Sequence, residues 1–266
     1  MRSGSSRIGR DARDGMNELR QLRWSALKWM GKSAAHYRYY MDNPIKETDP
    51  MRVGSRVHDL VLKGGRNRFA VWEGARRAGK EYDLFSLAHQ DATILTTDQE
   101  DRAGIIANAV LQDYDAVQAI FGCVTEATRA WEIAGRECAG TPDAVGPGSI
   151  VDLKVTNDGS PGRLPWQARK MGWLGQLAWY DFGLFGGACS NLTLVTVEDK
   201  PPHLVTVYRL TPNAVELGHR TWRSHFERLR VCEESCVWPG YSDCIVPLDV
   251  DQEFTLHSSG EVIEIE

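Results

Sequence analysis

The chain has 266 residues, 42% of them hydrophobic, and a net charge of −5. That is ample apolar content for a core, and the length fits one large domain or one domain with a small appendage. No apolar run reaches membrane-spanning length and no signal peptide is visible, so the sequence predicts a cytoplasmic protein with no membrane role.

Charge is distributed unevenly. Residues 1–80 hold 18 Lys/Arg against 8 Asp/Glu, whereas the remaining 186 hold 13 against 28. A basic front on an acidic body fits either a phosphate-facing surface or a solvated helix face. The cysteines, at 123, 138, 189, 232, 236 and 244, are scattered, and free thiols are expected.

Residues 1–22 are expected to be a disordered segment or extension, since the first twenty are rich in Gly, Ser and Arg with no apolar period. One domain is expected over 23–245, helical over 23–122 and built on a sheet with helices over 123–235. A tail follows over 246–266. Ser25 is read as the N-cap of a short helix ending at Gly31, and Ser33 as the cap of the next, which ends before Pro44. That second helix mixes His36, Arg38 and three tyrosines, a set that serves packing more often than base stacking.

Asp49-Pro50 opens a helix that Gly64-Gly65 closes, with Val53, Val57, Leu60 and Val61 as its apolar stripe. His58 lies at the edge of that stripe, where a histidine is more often structural than a ligand. Arg76, Arg77 and Lys80 form the densest basic cluster. Thr97 to Glu100 reads as a capping box for a helix through about Gln112, and a short helix follows over 116–121.

Then the pattern changes. Thr125–Ile133 and Arg136–Asp143 read as strands around Gly135. Val145-Gly146-Pro147-Gly148 reads as a turn, and Ile150–Lys154 as the strand that completes a hairpin. Strand side chains alternate, so Asp152 and Lys154 share one face while Val151, Leu153 and Val155 share the other. Such a hairpin can bring Asp143 beside the Asp152–Lys154 pair. Two carboxylates and an ammonium in one small volume suit a Mg²⁺ ion and attack of water on a phosphate. A weak surface ion pair is the plainer reading of a lone D-x-K.

Pro165 is read as the start of one long helix that stops at Gly186-Gly187. Gln176 and Tyr180, four apart, share a face of it. Strands over NLTLVTVED and HLVTVYRL follow. Thr211-Pro212 opens a last helix to about Glu234.

Strand, hairpin, strand and a helix carrying Q-x-x-x-Y is the order of the PD-(D/E)xK nuclease core. WSALKWMGKSAAHY (24–37), MRVGSRVHDLVL (51–62), RRAGKEYDLF (76–85) with LTTDQ (95–99), GTPDAV…SIVDLKVT…GWLGQLAWY (140–180) and WPGY (238–241) together resemble the RecE-type, exodeoxyribonuclease VIII-like exonucleases of phages and prophages. The resemblance implies an α/β (α+β mixed) restriction-endonuclease-like core, a central mixed β-sheet flanked by helices, with a helical N-terminal half.

It also implies roles. His58, Asp143, Asp152 and the Leu153 carbonyl would hold Mg²⁺, with Mn²⁺ able to substitute. Lys154 would be the catalytic lysine, Gln176 and Tyr180 its supporting pair, and Glu126 an acidic residue of the first core strand. Arg76, Arg77 and Lys80 would meet DNA phosphates. The implied activity is 5′–3′ degradation of one strand at double-stranded DNA ends, which leaves 3′ single strands for a RecT-type annealing partner in recombination. Assembly into a homo-oligomeric ring is part of the same expectation. An endonuclease or repair nuclease of the same fold, and a silent DNA-binding module, are the alternatives; the intact Asp143, Asp152 and Lys154 argue against the last. Cys232, Cys236 and Cys244 are not expected to hold an Fe–S cluster, because residues 1–122 contain no fourth cysteine.

Overall fold

A computed structural model describes residues 21–62 and 68–246, together with the backbone of two short paired strands at 254–256 and 262–264. The expectations for residues 1–20 and for a helix stop at Gly64-Gly65 lie outside the described residues. Strand β1 (Leu22–Arg23) leads into helix α1 (Trp24–Leu27), a 3₁₀ turn (Lys28–Gly31), α2 (Ala34–Asp42) and α3 (Asp49–Leu62). Then come β2 (Arg68–Trp72), α4 (Lys80–Ala88), β3 (Ala92–Thr96), α5 (Thr97–Gln112) and α6 (Tyr114–Ile120).

Strands β4 (Val124–Thr125), β5 (Arg129–Ile133), β6 (Arg136–Gly140), β7 (Ala144–Gly146) and β8 (Ser149–Thr156) follow. Helices α7 (Leu164–Met171) and α8 (Trp173–Phe185) connect β8 to β9 (Asn191–Glu198). The order then runs through β10 (Val205–Arg209), α9 (Pro212–Ser235), β11 (Phe254–Leu256) and β12 (Val262–Glu264).

The central sheet has the order β10-β9-β8-β7-β4, with β8 and β9 parallel and the other pairs antiparallel. A parallel pair needs a long crossover, and α7 with α8 supplies it. Alternation along β8 divides its side chains between two cores. Val151 and Leu153 pack with Val53, Val57 and Val61 of α3 and Ile106 and Val110 of α5. Ile150 packs on the other side with Leu177 and Trp179 of α8 and with Trp222 and Phe226 of α9. The central strand is thus covered on both faces, so a polar residue on it is buried wherever the strand is. Each fully buried Leu or Val contributes roughly 1.5–3 kcal/mol.

Several local expectations need correction. Ser25 lies inside α1, and the residue before that helix, Arg23, offers no side-chain cap; Trp24 and Leu27 are held by burial instead. The capping box is one residue earlier than expected, with Thr96 accepting from the Gln99 backbone and the Gln99 side chain returning the bond. The long helix is two helices, broken at Gly172, whose φ of +76° ends α7 in the left-handed region that glycine tolerates. Strand 125–133 is divided, because Glu126 takes a φ of +52° and ends β4.

The hairpin turn is also tighter than expected. Gly146 pairs with Ser149, which leaves only Pro147-Gly148 between the strands. β2 and β3 form a parallel pair in a half expected to be mostly helical. Ser33 does cap α2, accepting from His36 N, and Thr211 caps α9. Helices α8 and α9 approach closely at Gly218, where an added Cβ would come within 2.4 Å of the Leu174 carbonyl oxygen.

Candidate active site

The register of three short strands builds the site. In the β4–β7 pair Thr125 lies opposite Ala144, and in the β7–β8 pair Ala144 lies opposite Val151. One step further along both pairs, Glu126 falls opposite Asp143 and Asp143 opposite Asp152. The Glu126 N–H donates to the Asp143 carbonyl at 3.0 Å, which fixes the first of these steps. Neighbours across strands present side chains on one face, so Asp143 falls beside Asp152, while Glu126, turned by its left-handed φ, brings its carboxylate near Asp143 and His58.

The edge exposed by the end of β7 is then used. Leu153 N–H, with no strand partner there, donates to Asp143 Oδ2 at 2.6 Å. A strand residue aims its N–H and C=O to the same side, so the Leu153 carbonyl faces the same edge. From α3, His58 Nδ1 reaches within 3.5 Å of Asp143 Oδ1. Ligand atoms of His58, Glu126 and Asp143 all lie within 4.8 Å of one another.

Asp152 is fully buried, and its Oδ2 lies 2.5 Å from Lys154 Nζ. Lys154 thus occupies Oδ2, and Oδ1 is left without a hydrogen-bonding partner among the described residues. A buried acceptor left in that state marks either strain or a missing ligand. Hard carboxylate oxygens, a carbonyl and one imidazole suit a Mg²⁺-class ion or Mn²⁺. The residues present therefore fit a divalent cation. The tight group contains Glu126 where Asp152 was expected, because the Lys154 ammonium draws Asp152 to itself.

Electrostatics agree with that geometry. Burial pushes the Asp152 carboxyl up to about 6, against the pull of Lys154 and with the help of Asp143. Burial would raise Asp143 too, but the His58 and Lys154 charges and the Leu153 N–H hold it below its usual range. Burial works against the charged form of His58 and of Lys154, yet the carboxylates around them win and raise both.

Gln176 Nε2 donates to the Tyr180 hydroxyl at 3.1 Å, so the expected pair does share a face of α8. Both line a cleft of about 260 Å³ with Lys154, Thr141, Met171, Arg23 and Lys28. Sequence reasoning did not single out Arg23 or Lys28. Their signal was a cation at each end of WSALK; α1 and the 3₁₀ turn seat that segment on α8, where Trp24 fits against Gly172 and Gly175. Burial and the nearby Lys154 lower the Lys28 ammonium.

The expected phosphate contacts separate. Arg76 and Lys80 are exposed. Arg77 is engaged within the protein: it donates to Asp49 Oδ1 at 2.7 Å, to the Ile94 carbonyl at 3.3 Å and to Gln99 Oε1. It ties the start of α3 to β3 and α5, which accounts for a guanidinium at that position without DNA.

A mixed sheet with a D…D-x-K row at its edge and a Q-x-x-x-Y helix beside it defines the PD-(D/E)xK nuclease fold. The family described as a PDDEXK-like domain of unknown function (DUF3799) matches residues 24–246, and the chain belongs to it. A candidate exonuclease from Eubacterium rectale has a similar structure, with a TM-score of 0.61 at 14% identity over 94% of this chain and 97% of that one. A phage related exonuclease from Haemophilus somnus (TM-score 0.34, 14% identity, 82% of this chain and 99% of that one) is a more distant likeness. So is an alkaline exonuclease (LHK-Exo) from Laribacter hongkongensis (TM-score 0.23, 12% identity, 68% and 93%). No curated protein matches the chain.

Proposed function

We propose that this protein is a Mg²⁺-dependent deoxyribonuclease acting as a 5′–3′ exonuclease on linear double-stranded DNA. The observation that carries the reading is the row of Glu126, Asp143 and Asp152, closed on one side by His58 and on the other by Lys154. His58, Glu126, Asp143, Asp152 and the Leu153 carbonyl would hold the ion. When bound, it would supply an activated water and charge neutralisation at the scissile phosphate.

The chain's own groups then divide the remaining work. Lys154, charged and held against Asp152, sets a positive charge beside the phosphate and stabilises the charge that develops on its oxygens. Gln176 and Tyr180 fix each other and shape the wall of the cleft next to Lys154. Arg23 and Lys28 offer cations to the incoming phosphate backbone. Such contacts read the backbone rather than base edges, so little sequence preference and strong salt dependence are expected.

The polarity, the recombination role, a RecT-type partner and a ring assembly rest on the likeness of the sequence to RecE-type exonucleases. A bacterial cytoplasmic setting belongs to the same reading; among the described residues no helix is long and apolar enough to cross a membrane. The test is a linear duplex labelled at the 5′ or the 3′ end of one strand, with and without EDTA, beside a covalently closed circle. Early release of the 5′ label, a 3′ label retained in long fragments, an intact circle and full inhibition by EDTA are expected. Cutting of the circle would overturn the exonuclease part. Intact DNA with both Mg²⁺ and Mn²⁺ would overturn the nuclease reading.

A further inference from the structure

Helix α7 has an inner and an outer face of different chemistry. Leu164 and Ala168, four apart, are buried with Trp173 and Leu194. The Thr156 hydroxyl donates to Gln167 Oε1 at 2.9 Å, tying the helix to β8 two residues past Lys154. The outer face carries Arg163 just ahead of the helix, then Trp166, Arg169 and Lys170, all exposed. Residues 160–172 hold three cations and no acid.

Those cations are arranged rather than scattered. The Arg163 guanidinium lies 4.2 Å from the centre of the Trp166 ring and the Lys170 ammonium 4.6 Å from it. An indole 49% exposed thus gathers, over one ring, two charges from residues seven apart in sequence. Among the described residues, none of Arg163, Arg169 and Lys170 forms an ion pair with a carboxylate. Asp158, an acid just upstream of this face, accepts from the Ser160 N–H at 2.9 Å and feels the Arg163 charge without an ion-pair contact. Arg52, Arg56, Arg77, Arg102 and Arg136, by contrast, each meet an acid. Met171, the last residue of α7, lines the cleft with Lys154, Gln176 and Tyr180.

We propose that the outer face of α7 is a binding surface for the sugar–phosphate backbone of DNA, with Arg163, Arg169 and Lys170 meeting phosphates and Trp166 holding two of them in place as the strand approaches the cleft. This rests on the nuclease reading and assigns part of the substrate path within it. Unpaired cations fixed in a row that leads to the candidate catalytic groups favour a polyanion of regular spacing over an acidic patch on a folded protein.

The test is equilibrium binding of a 30-base-pair duplex across a salt series, on the full chain carrying Asp152→Asn so that DNA is not cut. Arg163→Gln/Arg169→Gln/Lys170→Gln should raise Kd at least ~10-fold near 0.15 M salt. It should also flatten the slope of log K against log salt by about 2–3, at ~0.9 for each phosphate no longer neutralised. Trp166→Ala should raise Kd about 3-fold, and Trp166→Phe should restore most of that. A control triple of equal charge, Lys200→Gln/Arg209→Gln/Arg220→Gln, should stay near the parent. Thermal melts of all variants guard against misfolding.

If the α7 triple matches the control triple, the inference is overturned while DNA binding by the parent preserves the nuclease reading. A parent that binds no DNA overturns both. Polyglutamate competing as well as DNA of equal charge overturns the nucleic-acid assignment in favour of an acidic protein.

Discussion

Asp143 with His58, and Asp181 with His219, are both aspartate–histidine pairs in the interior, and their surroundings differ in every partner. Asp181 accepts from the Cys189 N–H at 2.8 Å through Oδ1 and meets His219 Nε2 at 2.9 Å through Oδ2. His219 Nδ1 in turn accepts from Trp222 Nε1 at 3.1 Å. Each polar atom of that chain has a partner, and the result locks α8 to α9. Asp143 instead stands among Glu126, Asp152, His58 and Lys154, with like charges adjacent and Asp152 Oδ1 unfilled. The first arrangement needs nothing further to be stable; the second offers a cation its ligands. Buried charge is therefore informative only together with a census of its partners.

Exchanging the two aspartates' fates is the sharpest way to break this contrast. Asp152→Asn keeps an oxygen acceptor for Lys154 while removing a carboxylate whose charge burial disfavours, so nuclease turnover should fall on the order of 10³-fold or more while the metal-free protein melts close to its parent. Asp181→Ala should do the reverse: stability drops by about 3 kcal/mol, two buried donors losing their acceptor at about 1–3 kcal/mol each, while turnover per folded molecule persists. Denaturant melts and single-turnover cleavage, run on both variants, decide it. A stable Asp181→Ala protein would end the contrast.

Lys154→Met ranks next, with about a 10²–10³-fold loss in turnover and retained DNA binding, read by gel shift and cleavage.

Acidity sharpens the same point. The Asp152 carboxyl is raised in the folded chain to about 6, above its unfolded value, so the folded form holds that proton more tightly. Its stabilising contribution is full below the unfolded value and is lost as pH rises through about 4 to 6, a loss of order 3 kcal/mol at about 1.4 kcal/mol per pH unit. His58 is also raised, so its contribution is present below the ordinary imidazole value and disappears as pH climbs through its folded value. Metal-free protein should then lose stability from about pH 4 upward in urea melts, and Asp152→Asn should remove the part of that decline between about pH 4 and 6. Adding Mg²⁺ at about 100 times its Kd should return roughly 2.7 kcal/mol at neutral pH. A Mg²⁺-induced rise in Tm of equal size in Asp152→Asn would remove Asp152 from the metal set.

The smallest effect expected is for Tyr180→Phe. It deletes the hydroxyl that Gln176 bonds, worth about 0.5–1.5 kcal/mol, so turnover should fall by only a few-fold to about tenfold.

Much of this could be read from residue order. Alternation along Ile150–Lys154 separated Asp152 and Lys154 from Val151 and Leu153, and the two cores on either side of β8 have that same division. The four-residue spacing of Gln176 and Tyr180 put them on one helical face, where they bond. Other features were not legible. Thr96 and Thr97 are both plausible caps, and only the end of β3 chooses between them. Arg77 read as a free cation because its three partners lie far away in sequence. Glu126 was reached only through the family resemblance, and the left-handed turn that sets its carboxylate beside His58 and Asp143 has no local signal.

Local chemistry, then, determined which residues could carry the reaction: periodicity, turn residues and the acid–lysine spacing are short-range properties that a chain displays without being folded. Tertiary structure decided which of them meet. The row of acids depends on β4 and β7 ending in register against β8, and His58 joins only because the valine stripe of α3 is pressed onto that strand. Convergence of groups more than ninety residues apart is set by packing of whole elements, and no local pattern encodes it.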